Sequence, residues 1–364
     1  MECILFLAND CNMQCKYCYE GTDKKEILLS KELMYKSIDF CKELANGKAI
    51  DLTLLGGEPL LNRSVFLLLM DYVLNCDNIN ISITTNGTIW DEEILAKIIE
   101  KRVNLSISID GDEQTHLKNR SSKSGKNLYG KTINTIRLLL ENNISFAARM
   151  TVAKNTVCNF YDNVVYLYKM GIKHINAAIN EFEEWDDFSL SILDEQFSKL
   201  DEWYINHIDE GVYIDLYDGR LGEIIVCRER RFCSAGTKNH FVIDSKGVLY
   251  PCSYVVDDPA WVIGNVYTGI VEERLKEALR QHIVRKKACP DCEINYCCIS
   301  TRCGFKNYKL TGWINEANDN LCKLEKIVIK HDKYVYTTLF EGKNSRFMRT
   351  YDYLVKNGYQ LRPI

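Results

Sequence analysis

Cysteine is the residue whose number and spacing stand out in this sequence. The chain of 364 residues contains 16 cysteines, and most of them fall into two groups. Cys11, Cys15 and Cys18 lie near the N-terminus with the spacing C-x3-C-x2-C, and most of the others lie at or beyond Cys227. Because the cytosol keeps thiols reduced, clustered cysteines in a chain without an export signal indicate metal binding or redox chemistry rather than disulfides.

The N-terminal trio suits an iron–sulfur cluster that keeps one position open. Three thiolates on a short loop can hold three corners of a [4Fe–4S] cube, whose fourth iron normally takes a fourth cysteine. No fourth partner is evident beside the trio, and a metal ion without a full set of protein ligands can bind a substrate. Zinc is the alternative, although a structural zinc site requires four ligands.

The C-terminal group has enough thiols for two further metal sites. Eight thiolates would complete two [4Fe–4S] clusters or two zinc sites. The eight are Cys227, Cys233, Cys252, Cys289, Cys292, Cys298, Cys303 and Cys322. Cys297 adds one more thiol beside Cys298. The four remaining cysteines lie in or beside apolar patterns and are predicted to be structural, and these are Cys3, Cys41, Cys76 and Cys158.

Six β–α units are predicted in the first half of the chain. Short apolar runs typical of buried parallel strands alternate there with amphipathic helical patterns. The strands are predicted at residues 3–8, 49–55, 79–84, 103–109, 144–152 and 172–179. The helices are predicted at about residues 30–46, 63–76, 91–102, 130–142, 157–170 and 188–208. Since a closed barrel needs eight such units, the predicted fold class is α/β, a partial (β/α)6 TIM barrel followed by a small cysteine-rich domain.

The loops after the first four predicted strands carry the residues best suited to bind a ligand. Ligands of parallel sheets lie at the carboxyl ends of the strands. The cysteine trio follows the first strand, and the next three strands are followed by Gly56-Gly57-Glu58-Pro59, Thr85-Asn86-Gly87 and Asp110-Gly111. We therefore expect four successive loops to face one opening.

Three regions are predicted along the chain. Residues 1–212 form the partial barrel, residues 213–325 the cysteine-rich domain, and residues 326–364 a C-terminal tail of mixed α/β character. The stretch Glu181–Glu210 contains eleven acidic residues and one basic residue. It is interpreted as a solvated helix face, or alternatively as a docking site for a basic partner. The last 42 residues have the opposite balance, with nine basic and four acidic side chains.

The composition argues against several other classes of protein. A hydrophobic fraction of 46% argues against disorder, and a formal net charge of −4 gives no electrostatic reason to bind nucleic acid. The sequence has no apolar run of about 18 residues that could span a membrane. The N-terminus also lacks the basic region and cleavage site of a signal peptide. We expect a cytoplasmic protein in a reducing or anaerobic environment, with neither nucleic acid nor membrane as a partner.

Together, the trio and the glycine loop resemble the radical S-adenosylmethionine (SAM) superfamily. Its two motifs are C-x3-C-x-aromatic-C and glycine-glycine-glutamate. The matching residues are Cys11, Cys15, Tyr17, Cys18, Gly56, Gly57 and Glu58. The resemblance implies an oxidoreductase in which a reduced [4Fe–4S] cluster on the trio transfers an electron to SAM. The resulting 5′-deoxyadenosyl radical would remove a hydrogen atom from the substrate, and a flavodoxin- or ferredoxin-type protein would supply the electron.

The resemblance also implies a set of SAM-binding residues. Gly56 and Gly57 would let the backbone approach SAM, and Glu58 or nearby carbonyls would accept hydrogen bonds from its amino group. Tyr17 is expected beside the adenine. Thr85 and Ser108 are candidates to bind the ribose or the carboxylate, and Asp110 either binds SAM or shapes its own turn. The carboxylate would pair with Arg120, which forms an H-x3-R element with His116, or with Arg149.

The C-terminal cysteines resemble the SPASM domain of radical SAM enzymes, which carries two auxiliary [4Fe–4S] clusters. The implied ligands are Cys227, Cys233, Cys252 and Cys303 for the nearer cluster, and Cys289, Cys292, Cys298 and Cys322 for the farther one. One interval departs from the family pattern, which usually has three residues where four separate Cys298 from Cys303. Because Cys297 adds a thiol directly before Cys298, it is an alternative ligand. Cys227 is the ligand that the pattern supports least, and without it the nearer cluster would have an open iron.

Radical SAM enzymes with this domain mostly modify ribosomally made peptides or proteins. The cysteine layout resembles that of anaerobic sulfatase-maturating enzymes, which form formylglycine and place an acidic residue directly after the cysteine equivalent to Cys252. Ser253 stands there in this chain, with Asp257 and Asp258 a few residues beyond, so the catalytic base is unassigned. The preferred hypothesis is a peptide-modifying enzyme that forms a thioether or carbon–carbon crosslink. Formylglycine formation, radical oxidation of a small molecule, and a non-catalytic iron–sulfur or zinc protein are the alternatives.

Recognition of a peptide is not assigned to a domain of its own. Such enzymes often have an N-terminal recognition domain, whereas the first strand is predicted here to begin at Cys3. Recognition would then come from a separate protein, from the acidic stretch or from the C-terminal tail. The polar segment 112–130 is predicted to be a long loop that borders the site or is simply solvated.

Overall fold

Near-continuous apolar runs form the parallel strands of this protein, as the sequence predicts. The computed structural model describes residues 1–21, 26–227, 233, 235, 237, 239–282, 289, 291–298 and 303–363. Its contacts divide the chain into two units. The first unit comprises Met1–Ile109, His116–Phe146 and Ser234–Ile283. The second unit comprises Asp110–Thr115, Ala147–Cys233 and Val284–Ile364.

The secondary-structure elements are numbered along the chain. The strands are β1 (Glu2–Ala8), β2 (Met13–Cys15), β3 (Ile50–Gly56), β4 (Ile79–Thr85), β5 (Asn104–Ser108), β6 (Arg120–Ser122), β7 (Phe146–Val152), β8 (His174–Ile179), β9 (Tyr213–Ile214), β10 (His240–Ile243), β11 (Val248–Tyr250), β12 (Gly264–Asn265) and β13 (Gly269–Ile270). The helices are α1 (Lys31–Ala45), α2 (Arg63–Val73), α3 (Glu92–Lys101), α4 (Glu113–Asn119), α5 (Tyr129–Glu141), α6 (Phe160–Lys169), α7 (Asp187–His207), α8 (Asp215–Asp218), α9 (Leu221–Ile225), α10 (Glu272–Gln281), α11 (Gly304–Thr311), α12 (Asp319–Glu341) and α13 (Ser345–Lys356).

All six predicted strands are confirmed to within two residues, as β1, β3, β4, β5, β7 and β8. The six predicted helices are confirmed to within three residues, as α1, α2, α3, α5, α6 and α7. Local caps explain why two of them begin where they do. The Ser30 side chain accepts a hydrogen bond from Leu33 N at the start of α1, and Asp91 accepts from Glu93 N at the start of α3.

Parallel pairing builds the sheet of the first unit. Its strands lie in the order β13-β12-β11-β10-β1-β3-β4-β5. From β10 to β5 neighbouring strands are parallel, whereas the pairs from β10 to β13 are antiparallel. β1 therefore has a partner on each side, and β10 brings part of the cysteine-rich half of the chain into the first unit. The predicted domain boundaries at residues 212 and 325 stay predictions.

In the second unit, β7, β8 and β9 are parallel neighbours, and the long helix α7 packs against α12. Lysines of α12 form ion pairs with the acidic helix α7. The distances are 3.0 Å from Lys323 to Asp187 and 2.6 Å from Lys330 to Asp194. Part of the acidic stretch is therefore neutralised within the chain, an arrangement that neither sequence interpretation included.

Two segments differ from the sequence prediction. The predicted loop 112–130 contains α4 and the short strand β6, because residues 120–122 find a partner strand in β2. The tail predicted as mixed α/β is mostly helical, and it consists of α12, α13 and a short extended end. Among the described residues, none of the helices combines the length and the apolar character that crossing a membrane requires.

Candidate functional site

The middle cysteine of the trio belongs to a small antiparallel ribbon. β2 pairs with β6, and the register sets Cys15 opposite Arg120. A hydrogen bond of 2.9 Å from Lys16 N to Asn119 O continues the pairing beyond Cys15. Because backbone hydrogen bonds fix this register, they also fix the position of Arg120 beside the cysteine loop.

Cys11 is buried at the start of this loop, with 6% of its surface exposed. Its Sγ accepts a hydrogen bond from Met13 N at 3.3 Å, and Cys11 N donates to Asp10 Oδ1 at 2.7 Å. Lys123 forms an ion pair with the same Asp10 carboxylate. Hydrogen bonds to sulfur are among the features that tune protein-bound iron–sulfur clusters. The surroundings of Cys11 therefore suit a thiolate that binds iron.

Asn86 connects the cysteine loop to the loop after β4. Its Nδ2 donates to Asn12 Oδ1 at 2.8 Å and lies 4.0 Å from Cys11 Sγ. Asn12 Nδ2 donates to Thr88 Oγ1 at 2.7 Å, and that hydroxyl donates to Asn86 Oδ1 at 2.6 Å. The three polar side chains thus form a closed ring. Sequence reasoning named neither Asn12 nor Thr88, because residues of these types are common in loops and their spacing gives no sign of a shared partner.

Two glycines let the loop after β3 pack against the cysteine loop. Gly56 has a φ of 130°, and a Cβ added there would lie 2.0 Å from Ala8 O. A Cβ added at Gly57 would lie 2.2 Å from Asp10 O and 3.0 Å from the Cβ of Cys11. Backbone hydrogen bonds also join the two loops. Since only glycine leaves enough space here, the glycine motif and the cysteine motif are one packed structure.

The carboxylate of Glu58 binds groups of the protein itself. Glu58 is only 1% exposed. Its Oε1 accepts hydrogen bonds from Leu60 N at 3.0 Å and Thr85 Oγ1 at 2.6 Å, and its Oε2 accepts one from Asn86 N at 2.7 Å. Glu58 therefore holds the loops after β3 and β4 together, and the Thr85 hydroxyl donates to it. The contacts with SAM that the resemblance implies for these two side chains stay predictions.

Tyr17 and Arg120 lie against each other. The guanidinium carbon of Arg120 is 5.3 Å from the centre of the Tyr17 ring, within the range of a cation–π contact. Arg120 is buried, as is His116, which packs edge-on against Tyr129 with the ring centres 5.1 Å apart. The structure therefore brings Tyr17 and Arg120 together beside the cysteine loop, whereas His116 packs in the interior of the first unit.

The remaining SAM-binding candidates are divided between the two units. Ser108 ends β5 in the first unit and is half-buried. Asp110 and Arg149 belong to the second unit, where Arg149 is an exposed residue of β7. Asp110 is fully buried, and its Oδ1 accepts a hydrogen bond from Thr151 N at 2.9 Å. This bond agrees with a role for Asp110 in shaping the loop after β5.

In residue type and placement, the N-terminal loop fits an iron–sulfur cluster. It carries three thiols within eight residues, its buried Cys11 sulfur accepts an N–H bond, and a glycine-lined cradle lies against it. Within the part of the chain that the structure describes, no three His, Cys, Asp or Glu side chains come close enough together to hold a metal ion. The three thiolates of a four-iron cube bind three different irons, so they need to share one loop rather than one metal position.

We expect Gly57→Ala to lower the iron content of the N-terminal loop. The added methyl group would overlap Asp10 O and press on Cys11, which costs about 1–3 kcal/mol in a tightly packed site. After anaerobic reconstitution, the variant should hold about four iron atoms fewer than the wild type. Gly130→Ala on α5 is a matched control, because open space surrounds Gly130. An unchanged iron content in Gly57→Ala would contradict the importance of this close packing.

Three of the cysteines predicted for the nearer auxiliary cluster belong to the second unit, and these are Cys227, Cys233 and Cys303. Cys303 directly precedes α11. Burial raises the pKa of the Cys303 thiol, Lys306 acts against this rise, and the Cys233 thiol adds to it. Cys227 N donates a hydrogen bond to Gln360 O at 2.7 Å, which ties this cysteine to the end of the chain.

Cys252, the fourth predicted ligand of that cluster, belongs to the first unit. The residues after it contact the end of the N-terminal cysteine loop. Ser253 forms a hydrogen bond with Tyr19, and the Tyr254 ring packs edge-on against Tyr19 with the ring centres 5.2 Å apart. Burial raises the pKa of Tyr19 well above its ordinary value. Since Tyr19 follows Cys18, the structure brings the segment of Cys252 next to the segment of the trio.

All four cysteines predicted for the farther cluster belong to the second unit. Cys292 N donates to Cys289 O at 3.3 Å, which closes a turn between these two cysteines. Cys298 N donates to Ile294 O at 2.9 Å in the next turn. Cys322 lies in the first turn of α12. The turns and the helix therefore fix the backbone around these predicted ligands.

Cys297, the alternative to Cys298, points into the interior of the second unit. It is fully buried, and its Sγ donates to Ile294 O at 3.6 Å. Burial raises the pKa of the Cys297 thiol, and the charges of Lys333 and Arg220 act on it in the opposite direction. Arg220 is buried beside α9, whereas Lys333 is an exposed residue of α12. The contacts of Cys297 are therefore those of a core residue.

The cysteines outside both groups differ in their surroundings. Cys3 and Cys41 are buried, with their Sγ atoms 3.4 Å apart, as expected of structural cysteines. Cys76 is half-buried. Cys158 is exposed, because it lies on the outer side of the 3-10 helix Lys154–Asn159. The apolar pattern around Cys158 therefore does not extend to its own side chain.

Known sequences give an independent comparison. Residues 5–164 match the family model of the Radical SAM superfamily. The cysteine-type anaerobic sulfatase-maturating enzyme of Clostridium perfringens (strain 13) is 25% identical over 362 residues, which cover 86% of this chain and 96% of that enzyme. The uncharacterized protein MJ0907 of Methanocaldococcus jannaschii is 32% identical over 201 residues, which cover 54% of this chain and 68% of that protein.

A solved structure has the same fold over nearly the whole chain. It contains native anSMEcpe with bound AdoMet and Cp18Cys peptide, and its TM-score is 0.73 at 20% sequence identity. The match covers 97% of this chain and 99% of that one. The mixed α/β fold with its parallel sheet is that of radical SAM enzymes, and the cysteine-rich C-terminal part fits a SPASM domain. The chain is therefore an enzyme that belongs to the radical SAM superfamily.

Proposed function

We propose that this radical SAM enzyme oxidatively modifies a ribosomally made peptide and forms a thioether or a carbon–carbon crosslink. One observation carries the proposal. The loop of Cys11, Cys15 and Cys18 packs directly on Gly57 and is tied by Asn86 to the loop after β4. The parts needed to bind an iron–sulfur cluster and SAM are therefore held in one packed site.

When bound, the [4Fe–4S] cluster and SAM supply a 5′-deoxyadenosyl radical that removes a hydrogen atom from carbon. The residues of this chain hold and orient those groups. The three cysteines of the trio would bind three of the four irons. The backbone at Gly57 would receive SAM, and Arg120, which lies against Tyr17, would provide the positive charge for its carboxylate. Glu58 holds the loops after β3 and β4 together through the bonds from Leu60, Thr85 and Asn86, and a bond from the SAM amino group to this carboxylate or to nearby carbonyls is part of the proposal.

Two auxiliary [4Fe–4S] clusters are part of this proposal. The proposed ligands are Cys227, Cys233, Cys252 and Cys303 for the nearer cluster, and Cys289, Cys292, Cys298 and Cys322 for the farther one. The electrostatic effect of the Cys233 thiol on the Cys303 thiol supports the first set. In the second set, the bond from the fully buried Cys297 Sγ to Ile294 O supports Cys298, which is 6% exposed, as the ligand. These clusters would take up the electron that remains on the substrate after hydrogen removal.

A polypeptide substrate is supported by what the similar proteins are named for. The Clostridium perfringens enzyme matures sulfatases, and the solved anSMEcpe structure contains a peptide. Recognition of the peptide would involve a separate protein, and a flavodoxin- or ferredoxin-type protein would be the reductant. Formylglycine formation remains the second candidate function, because the identity to the sulfatase-maturating enzyme extends over nearly its whole length.

The residues after Cys252 favour crosslinking over formylglycine formation. Ser253 replaces the expected acid and bonds to Tyr19. The acids farther along have partners within the protein, since Asp257 forms an ion pair of 3.2 Å with Lys246 and Asp258 accepts a hydrogen bond from Ala260 N at 3.0 Å. This segment therefore lacks the carboxylate that would take a proton in the sulfatase-maturating pattern.

The proposal is tested by mass spectrometry of peptides treated with the reconstituted enzyme, SAM and dithionite. One set consists of short cysteine-containing peptides encoded beside the gene, and the other is a sulfatase peptide with its target cysteine. Loss of two hydrogen atoms with the sulfur retained supports a crosslink. Loss of sulfur from the sulfatase peptide would instead establish formylglycine formation. Cleavage of SAM with every peptide unchanged would contradict a peptide-modifying role.

A further inference from the structure

The end of the described chain runs beside the segment of Cys227 and forms one isolated antiparallel bridge with it. For brevity, we call residues 359–362, which carry this single bridge, the terminal strand. Cys227 N donates to Gln360 O at 2.7 Å, and Arg362 N donates to Ile225 O, also at 2.7 Å. Between these two bonds, Val226 and Leu361 form an antiparallel bridge. The backbone that leads from α9 to Cys227 is therefore fixed by the terminal strand.

Arg362 strengthens this pairing through its side chain. Its Nη1 donates to Val226 O at 2.6 Å and to Ile224 O at 3.2 Å. These carbonyls lie at the C-terminal end of α9, where backbone oxygens lack partners within the helix and a cation is favourable. A hydrogen bond from a charged donor to a carbonyl is stronger than a neutral one. Arg362 thus holds the residue directly before Cys227.

The same guanidinium group reaches the second cysteine segment. It lies 4.6 Å from the centre of the Tyr296 ring, within the range of a cation–π contact. Lys333 of α12 lies 5.4 Å from that ring centre. Tyr296 directly precedes Cys297 and Cys298 in the sequence. Arg362 therefore contacts both the Cys227 segment and the turn that carries Cys298.

We infer that the terminal strand positions the ligands of the auxiliary clusters, with Arg362 as the residue that holds the two cysteine segments in place. The inference rests on the proposed iron–sulfur ligation by Cys227 and Cys298. A metal site binds more tightly when groups outside its ligands fix the ligand positions before the metal arrives. The basic C-terminal tail, which the sequence analysis considered only for peptide recognition, thereby acquires a positioning role in the second unit.

The test measures how fast an iron chelator removes iron from the full-length protein. In a Cys15→Ala background, all remaining iron is auxiliary. Arg362→Ala should speed iron release at least about tenfold, which corresponds to about 1.4 kcal/mol. Arg362→Lys should give an intermediate rate, because lysine keeps the charge but lacks the planar fork. Arg349→Ala, at an exposed position of α13, is the matched control and should release iron at the rate of the background.

A second variant and a second measurement separate positioning from general stabilisation. Tyr296→Leu removes the ring and keeps the terminal strand, and it should also speed iron release. Removing Arg362 also removes its bonds to Ile224 O and Val226 O, so we expect metal-free Arg362→Ala to be less stable than metal-free Arg349→Ala. The inference predicts that iron release rises by more than this loss of stability accounts for. Equal release from Arg362→Ala and Arg349→Ala would overturn the inference while leaving the clusters in place, and so would a rise in the release rate that the loss of stability fully explains. A Cys15→Ala protein that holds no iron would overturn both the auxiliary clusters and the inference.

Discussion

Replacing Cys15 with alanine should abolish cleavage of SAM while leaving the auxiliary iron in place. Cys15 is one of three proposed ligands on the loop, and it lies in β2 opposite Arg120. Two cysteines cannot hold a cube that already lacks a fourth protein ligand. After anaerobic reconstitution, we expect about eight iron atoms per chain instead of about twelve, since one of three four-iron clusters is lost. Chromatography of 5′-deoxyadenosine measures the loss of cleavage.

A matched control for this variant is Cys76→Ala. Cys76 is a half-buried cysteine outside both cysteine groups. The variant Cys76→Ala should therefore retain its iron and its cleavage of SAM. Production of 5′-deoxyadenosine by Cys15→Ala would show that the radical chemistry does not depend on this loop. A loss of all the iron from that variant would instead mean that the C-terminal cysteines bind no cluster of their own.

The strands of the sheet were predictable because burial on both faces leaves a continuous apolar run in the sequence. The ribbon of β2 and β6 was not predictable, since each strand has only three residues and neither shows a hydrophobic periodicity. The pairing of β10 with β1 was also missed, because it joins residues more than 200 positions apart. Local pattern indicates that a strand exists, but it does not identify the neighbour of that strand.

The candidate site could be located from its motifs, whereas its internal bonds could not. Gly57 was singled out because a glycine motif follows a strand, and the structure explains it by the contact with Asp10. Glu58 was expected to face a ligand, yet its carboxylate joins two loops. Asn12 was not considered, although it belongs to a closed ring with Asn86. Such partners depend on how loops pack, which residue spacing along the chain does not record.

The acidic stretch illustrates the same limit for charge patterns. Eleven acidic residues in a short segment suggested either a solvated face or an external partner. The structure leaves most of these acidic residues exposed, as the interpretation of a solvated face expects, and it also pairs Asp194 with Lys330 and with His331, at 2.6 and 3.0 Å. His331 also bonds to the buried Asp201 at 2.6 Å. Lys323 and Lys330 of the last 42 residues are therefore partners of this stretch, although they are far from it in sequence.

Replacing Cys298 with alanine should remove one auxiliary cluster, whereas replacing Cys297 should not. Both cysteines follow Tyr296, and the family pattern alone does not decide between them. Cys297 is fully buried with its Sγ bonded to Ile294 O, and Cys298, which is 6% exposed, is the thiol that we propose as the ligand. Cys298→Ala should therefore lower the iron content from about twelve to about eight atoms per chain.

The matched variant Cys297→Ala should keep its iron and lose only stability. Removing a buried Sγ atom leaves a small cavity, and the expected cost is about 1 kcal/mol of the free energy of unfolding. Iron analysis and urea unfolding of the two variants therefore give opposite patterns. The reverse pattern, with iron lost from Cys297→Ala and retained by Cys298→Ala, would make Cys297 the ligand. The interval between Cys292 and the next ligand would then be one residue shorter. It would also mean that the turn after Ile294 rearranges when the cluster binds, since the Cys297 side chain would have to leave the interior to reach iron.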